Sequence, residues 1–538
     1  MKAASLYICV WIGWFVAGFC KMACSIDGLK AILPASAAII SAVSVKKGSS
    51  YGEGSLDVAY PINPTQLPDL CAVIVNVSSS ETSNYRFGIF LPAQWNSRFL
   101  AVGNGGFVGG INWLDMGAGV RYGHAVVSTD TGHNSTNTEL HWAMNPERKK
   151  DFGYRAVHGS VQLGKLITEA YYSSPIAFSY YSGSSAGGRQ GLKEAQISPG
   201  SFNGMLIGAP AWYTSHLQTW TTKVASYNLP VSDPKHVSPA MFSIIGAEVV
   251  EQCDSLDGVV DGIISSPELC SFKLTHLLCD GNLSAADTAG CLTSEQATTV
   301  SHFYADYIAE GKLAFPGMEP GSESTWPVLL GGNKPNILGN GYIQYFLFND
   351  PAWNWTLYND SIVWKADAED PGNCTANDYD MTPFKKLGGK IFMFHGLSDG
   401  LVTPGSSRLF YSRVADAMGG LNQLLSWFRF FVVPGQGHVS GTAVDAPYYF
   451  AQGGSQGQLG TDTYSTPGFE DAQHDALLAL MSWVENGTAI DQIVATTWTK
   501  TNDPTSGILR QRPICHFPKK QTYRGTGDSN KPENFVCK

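Results

Sequence analysis

Phe178-Ser179-Tyr180-Tyr181-Ser182-Gly183-Ser184-Ser185-Ala186-Gly187-Gly188-Arg189-Gln190-Gly191 decides the reading of this chain, because an apolar, aromatic run ends in Gly-x-Ser-x-Gly. Residues 176–181 read as a buried strand, and Leu192-Lys193-Glu194-Ala195-Gln196 downstream is helix-forming. A serine on a tight strand-to-helix turn sits in strained backbone geometry, and Gly183 and Gly187 leave room for strand and helix to approach closely. Ser185 is therefore the candidate nucleophile. In a chain with 58 glycines the motif alone arises by chance, so the strand before it and the helix after it carry the reading.

The same alternation extends along the chain. Strand-like runs at 85–91, 99–102, 124–127 and 176–181 are separated by turn signals and helical stretches, the pattern of a mostly parallel, doubly wound α/β sheet. From Ala211 to about Phe384 the sequence turns irregular and rich in Trp and Pro, and reads as an inserted lid. Strands resume at 390–394 and 428–433, and 471–485 has the spacing of an amphipathic helix packed on the sheet. The resulting division is a leader over 1–22, a catalytic α/β domain over 23–211 and 385–538, and a lid over 212–384.

A serine hydroxyl needs a base, and the base needs an orienting acid. The resumed strands supply both in order. Residues 390–394 lead into His395-Gly396-Leu397-Ser398-Asp399-Gly400, and 428–433 into Pro434-Gly435-Gln436-Gly437-His438. Serine, then acid, then histidine, each at a strand end, is the chain order of α/β hydrolases. Asp399 by itself reads more readily as a turn initiator before Gly400 than as a catalytic acid, and His395 and His474 compete with His438. His438 is preferred because it lies in a glycine-flanked loop just past a strand. For the oxyanion, the Ala186 N–H directly follows the nucleophile, and Gly103-Asn104-Gly105-Gly106-Phe107 offers a second backbone donor from Gly105 or Gly106.

At 538 residues, 43% apolar and 15% charged, the chain is an ordinary globular protein large enough for one or two cores. A formal net charge of -10 and the absence of a Lys/Arg cluster argue against a nucleic-acid partner. The N-terminus, Met1-Lys2 followed by an apolar run to Cys20, reads as a secretory signal cleaved between Gly18 and Ala23. No later segment has the length of a membrane span. Acceptor sequons at Asn76, Asn134, Asn282, Asn354, Asn359, Asn373 and Asn486 suit a secreted glycoprotein. The short-range cysteine sets Cys253 with Cys270, Cys279 with Cys291, and Cys515 with Cys537 read as disulfides of an oxidising compartment. Loss of Cys9 and Cys20 with the leader leaves nine cysteines, so one is unpaired.

These residues resemble the tannase and fungal feruloyl esterase family of α/β hydrolases. The resemblance runs through 103–107, Ser128-Thr129-Asp130-Thr131-Gly132-His133, 183–191, Gly208-Ala209-Pro210-Ala211, 395–399 and 433–438. It implies a serine carboxylic ester hydrolase acting on hydroxycinnamoyl esters such as plant cell-wall phenolic esters, with galloyl or other aromatic and polyketide esters as alternatives. A catalytically silent secreted binding protein is the alternative from a different class. The resemblance also implies a structural Ca2+ in the lid, held by Asp254, Asp257 and Asp261 with the carbonyls of Val259 and Ile263. Hard oxygen donors on a glycine-bent loop suit that ion, although the spacing is not that of an EF-hand and the residues alone read equally as an acidic turn. It further implies a Cys24–Cys71 pair, which leaves Cys374 as the odd thiol. One departure stands out. Most members tie the nucleophile loop to the histidine loop with a disulfide, and here those positions are Ser184 and Val439.

Overall fold

The computed structural model describes residues 22–279, 290–451, 468–501 and 503–538. The expected leader lies outside them except for Met22, as does the acceptor Asn282. Among the described residues nine strands form one sheet: β1 (Ala37–Val45), β2 (Leu70–Ser78), β3 (Asn84–Pro92), β4 (Arg98–Val102), β5 (Ala125–Thr129), β6 (Phe178–Ser184), β7 (Gly204–Gly208), β8 (Lys390–Gly396) and β9 (Phe428–Val433). Their spatial order is β1-β2-β3-β5-β4-β6-β7-β8-β9. The pairings β1–β2, β2–β3 and β3–β5 are antiparallel, and every pairing from β5 through β4 to β9 is parallel. This is the α/β-hydrolase type of sheet that the sequence pattern implies.

The motif strand β6 lies inside the parallel set, so both of its faces must be covered. Side chains alternate across a strand, and Tyr180 and Tyr181 accordingly enter opposite cores. Tyr180 packs with Leu100, Leu206, Phe392 and the C-terminal helix residues Leu480 and Trp483. Tyr181 packs with Phe99, Ile167, Ile207, Met393 and Phe410. The helices that matter below are α1 (Trp113–Arg121), α2 (Ala156–Tyr172), α3 (Ala186–Ile197), α4 (Thr214–Tyr227), α5 (Pro239–Cys253), α6 (Pro404–Ala417) and α7 (Ala476–Asn486). The Arg98 guanidinium and the Tyr180 hydroxyl both donate to Glu485, which fastens α7 beneath β4 and β6.

Two expectations are corrected. The helix read from Asp471 begins at Ala476, because the Asp475 carboxylate caps the amides of Leu477 and Leu478. The stretch after Ala211 is not irregular but largely helical, with α4, α5, Ser294–Tyr304 and Ser361–Glu369 surrounding a core that includes Leu217, Trp220, Phe242, Phe303 and Trp326. Strands β1, β2 and β7 carried no clear signal. Gly204-Met-Leu-Ile-Gly208 is a five-residue buried run, too short for periodicity to separate strand from helix.

Disulfides join Cys24–Cys71, Cys253–Cys270, Cys279–Cys291 and Cys515–Cys537, and Cys374 is a free, buried thiol whose pKa burial pushes up to about 12. Of the sequon asparagines, Asn134, Asn354, Asn359, Asn373 and Asn486 are exposed and Asn76 is half-buried on β2.

The turn between β6 and α3 is built by close backbone approach. Ser185 takes φ 58° and ψ -124°, a left-handed conformation disfavoured for a residue with a side chain. A methyl group at Gly183 would lie 2.9 Å from the Gly187 carbonyl, and one at Gly187 would lie 2.9 Å from the Asn104 carbonyl oxygen. One at Gly188 would lie 2.9 Å from both the Gly208 oxygen and the Pro210 Cα. Gly188→Ala is expected to lower unfolding stability by about 1–3 kcal/mol, since rigid backbone faces the added methyl. Chemical unfolding checks this, and an unchanged midpoint at unchanged slope would show that the contact is not tight.

Candidate active site

Ser185, Asp399 and His438 all leave the C-terminal ends of parallel strands, β6, β8 and β9, whose ends are level: Ser184 and Phe394 both pair with Gly208, and Gly396 pairs with Val433. Ligand sites of such sheets form at this edge. The structure brings Asp399 and His438 into direct contact. Asp399 Oδ2 accepts from His438 Nδ1 at 2.6 Å, and Asp399 Oδ1 accepts the amides of Leu401 and Val402 at 2.9 Å each. With Nδ1–H committed to the carboxylate, Nε2 is the His438 nitrogen left to act as a base.

Asp399 is completely buried, and burial alone would raise its pKa. The charge of His438 and the hydrogen bonds from His395 and His438 reverse that and hold the carboxyl well below the usual carboxylate range. His395, a competing base in the sequence, is thereby assigned to a supporting place. Its Nε2 lies 2.8 Å from the Val402 carbonyl, which can only accept, so that nitrogen carries a proton shared with Asp399 at 3.0 Å. Its Nδ1 is left to accept from the Ser407 hydroxyl at 2.7 Å. His474, the other competitor, instead pairs with the exposed Asp471.

Ser185 Oγ forms no hydrogen bond to His438 in this structure. Its loop is fixed through the backbone: the Ser185 amide donates to Gly208 O (2.8 Å), and Ala211 donates to Ser185 O (3.0 Å). Of the two candidate oxyanion glycines, Gly105 is engaged, its amide donating to Tyr60 Oη at 3.0 Å. Gly106, at φ 48°, instead lines the cavity that Ser185 and Ala186 border. The loop carrying it is held by side chains from distant segments. Gln190 Oε1 accepts the Asn104 amide, and Asn104 Nδ2 reaches the carbonyls of Gly110 and Thr129. Asn112 Nδ2 donates to Gly103 O. Sequence reading missed these groups; only Asn104 and Gln190 fall inside the motifs that drew attention.

Two cavities adjoin the triad candidates. The first begins at Ser185, Ala186 and Gly106 and is walled by Phe107, Phe152, Leu217, Leu338, Leu401 and Val402, with Thr214, Gln218 and Thr221 of α4 along one side and Arg189 at its margin. The second is lined by His438 together with Phe242, Ile264, Thr325 and Val444. An apolar, partly aromatic pocket beside a serine on a strained turn, with an acid–histidine pair beyond strands β8 and β9 of the same sheet, has the groups that acyl transfer needs.

The sequence model of tannase and feruloyl esterase matches residues 71–538. The chain belongs to this family. It is 33% identical over 499 residues to "Probable feruloyl esterase B-2" of Aspergillus terreus, covering 91% of each chain, and 35% identical over 472 residues to "Probable feruloyl esterase B-1" of Neosartorya fischeri, covering 87% of this chain and 86% of the other. Its structure is similar to the crystal structure of feruloyl esterase B from Aspergillus oryzae, with TM-score 0.87 at 31% identity over 95% of this chain and 99% of that one. The tannin acyl hydrolase of Aspergillus niger shares the fold at TM-score 0.73 and 20% identity, over 96% of both chains. As a member of the tannase and feruloyl esterase family the protein is a carboxylic ester hydrolase.

Positions 184 and 439, where the resemblance implies a disulfide, hold Ser and Val and form none. Ser398 N donates to Gln436 O (2.9 Å), which ties the acid loop to the histidine loop, and Gln436 Nε2 reaches Val439 O at 3.3 Å. Val439 itself takes φ 59°, an unusual conformation for a β-branched residue.

The acidic lid loop offers oxygen donors of the kind calcium takes. Burial raises the Asp257 carboxyl, with the Asp261 and Asp254 charges adding to it. The carboxylates are otherwise engaged: Asp254 accepts the Gly262 amide at 3.0 Å, Asp257 the Val259 amide at 2.9 Å, and Asp261 Oδ2 the Arg512 guanidinium at 2.7 Å with Arg510 at 3.3 Å. Among the described residues no three acidic, His or Cys side chains are gathered as a metal cluster. The donor set fits in kind, and binding would require Asp261 to turn from Arg512 toward its neighbours.

The depressed Asp399 pKa sets a pH signature. A carboxyl with a folded-state pKa below its unfolded value of about 3.9 contributes stability that is complete above that value and lost as pH falls through the folded pKa. Asp399→Asn, which cannot titrate, should lose on the order of 1–3 kcal/mol near pH 7 and show a shallower acid decline below about pH 4 than the wild type. Unfolding midpoints across pH 2–8 test this; parallel wild-type and variant curves would contradict it.

Proposed function

We propose that the protein is a secreted serine esterase that hydrolyses aromatic, hydroxycinnamoyl-type esters through a Ser185–His438–Asp399 triad. The observation that carries the reading is the 2.6 Å Asp399–His438 contact on strands level with the strained Ser185 turn, at the mouth of an aromatic-walled cavity. His438 Nε2 takes the Ser185 proton as Oγ attacks the ester carbonyl carbon, and Asp399 holds the imidazole in place as it becomes charged. The tetrahedral oxygen is held by the amides of Ala186 and Gly106. His438 returns the proton to the leaving alcohol, and a water activated by the same nitrogen then releases the acid from Ser185. The groove beside His438, about 560 Å³, has room for the larger part of the ester, whereas the cavity at Ser185 measures about 30 Å³. Residues 212–384 serve as the lid that walls both.

The names of the relatives favour feruloyl esters, and the family name keeps galloyl esters as the competitor. A fluorophosphonate probe is expected to label the wild type and not Ser185→Ala, with kcat falling by about 10^3-fold or more in the variant. Kinetics on methyl ferulate, methyl gallate and a plain phenyl ester then rank the substrates, ferulate first. A folded, unlabelled wild type would rule out the serine mechanism, and a preference for gallate would move the reading to tannase.

For the lid loop the proposal is a structural Ca2+ on Asp254, Asp257 and Asp261 with the Val259 and Ile263 carbonyls. The ion would supply positive charge among crowded carboxylates and take no part in ester cleavage. A ligand held at 100 times its Kd stabilises by about 2.7 kcal/mol, so EGTA should lower the Tm measurably and added Ca2+ restore it, while Asp257→Asn should not respond. An unchanged Tm would remove the site. Secretion and glycosylation at the exposed sequons belong to the same reading, supported by the four disulfides.

A further inference from the structure

The stretch Ile337–Gly341, continued by the wider helical turns of Tyr342–Leu347, has different neighbours on its two sides. Leu338 lines the small cavity at Ser185. Ile337, Asn340 and Gln344, spaced three and four residues apart along one helical face, line a separate cavity of about 550 Å³, a volume within the range of small-ligand sites. Tyr345, Trp353 and Trp355, all half-buried, supply its aromatic walls. Two of these rings are braced by neighbours, Trp353 by Phe348 at 5.9 Å between ring centres and Tyr345 by His141 at 5.0 Å.

No carboxylate lines this cavity, and its acceptors are amides. Gln344 Nε2 donates to the carbonyls of Pro351 and Trp353, at 3.0 and 2.8 Å, which leaves its Oε1 to accept, and Asn340 Oδ1 has no partner. Aromatic faces edged by neutral amides suit a ligand that is apolar on its ring faces and hydroxylated at its rim. A pyranose has that chemistry.

Asn354 belongs to the same lining and begins the sequon Asn354-Trp355-Thr356. It is exposed, and its Oδ1 accepts the amide and the hydroxyl of Thr356, each at 3.0 Å. That leaves Nδ2, the atom that carries an N-linked glycan, open. Other sequons differ: Asn134 Nδ2 is committed to Leu56 O at 2.7 Å, and Asn359, exposed on the same segment as Asn354, does not line the cavity.

We infer that the glycan of Asn354 folds back into this cavity, its first N-acetylhexosamine unit lying against the indoles of Trp353 and Trp355 and fastening the 337–347 stretch that borders the Ser185 cavity. The inference rests on the secreted, glycosylated reading and deepens it. Attachment joins Nδ2 to the anomeric carbon of a glycosyl diphosphate donor; Nδ2 gives up one proton and the diphosphate leaves. A sugar tethered at the cavity's own rim meets it at an effective concentration on the order of millimolar, so a contact too weak to hold a free sugar suffices.

The test uses protein secreted from a glycosylating host, with glycan occupancy read at each sequon by peptide mass spectrometry. On the folded protein, an endoglycosidase should release the Asn354 glycan more slowly than the Asn359 glycan, and after denaturation the two should be released alike. Asn354→Gln and Thr356→Ala, which remove the same glycan by different substitutions, should both lower Tm, by on the order of 2 °C, and open the tryptophans to acrylamide quenching. Thr356→Ser, which keeps the sequon, and Asn359→Gln should do neither. Equal release from the two sites on the folded protein overturns the inference, as does an Asn354 left bare while other sequons are occupied. Xylotriose that alters the tryptophan fluorescence of the glycosylated wild type would show the cavity open to outside sugars and overturn it as well. A secreted protein bare at every sequon instead defeats the glycoprotein reading itself, and the role of Asn354 falls with it.

Discussion

The site depends on one steric constraint, the contact of backbone with backbone where β6 turns into α3. Gly183 meets Gly187, Gly187 meets Asn104, and Gly188 meets Gly208 and Pro210, each without an intervening side chain. This lets the helix start one residue after the strand and forces Ser185 into its left-handed conformation. The strain is maintained because the turn is tied on both sides, by Gly208 and Ala211 to Ser185 and by Gln190 to Asn104. The same contact that raises the serine above the sheet edge therefore brings the Gly103–Phe107 loop beside the Ala186 amide.

The second organising element is the buried Asp399 carboxylate. A charge at full burial is tolerable only when donors surround it, and here two amides and two imidazoles do so. His395 spans Asp399, Val402 and Ser407, linking the acid loop to α6. Thr325 of the lid accepts the Gly400 amide at 2.9 Å, so the lid is attached to the loop that orients the histidine. This network and the Gln436 contacts join the acid loop to the histidine loop.

The chain between β7 and β8 borders the site, its helix α4 carrying Thr214, Leu217, Gln218 and Thr221. That helix lines the Ser185 cavity, and a cluster of Leu140, Trp142, Phe152, Tyr342 and Phe346 packs behind Phe107. Pocket shape is thus set jointly by the sheet edge and by chain inserted between β7 and β8. Variation in the insert can change the acyl group accepted without disturbing the sheet.

The sequence by itself determined the sheet architecture, the family, the candidate serine, acid and histidine, and the short-range disulfides. These signals are local: a strand run, a glycine at fixed offset from Ser185, an Asp or His a few residues beyond an apolar stretch. It did not reveal the helices of the lid or strand β7, where short buried segments lack distinctive periodicity. Only the tertiary structure decided that Tyr60 occupies the Gly105 amide and leaves Gly106 at the cavity, that His395 supports Asp399 rather than replacing His438, and that Thr138 and Asn340 meet Asn354 at one cavity. Each of those facts depends on partners brought together from distant or separately folded segments, whose meeting is fixed by packing and not by any spacing along the chain.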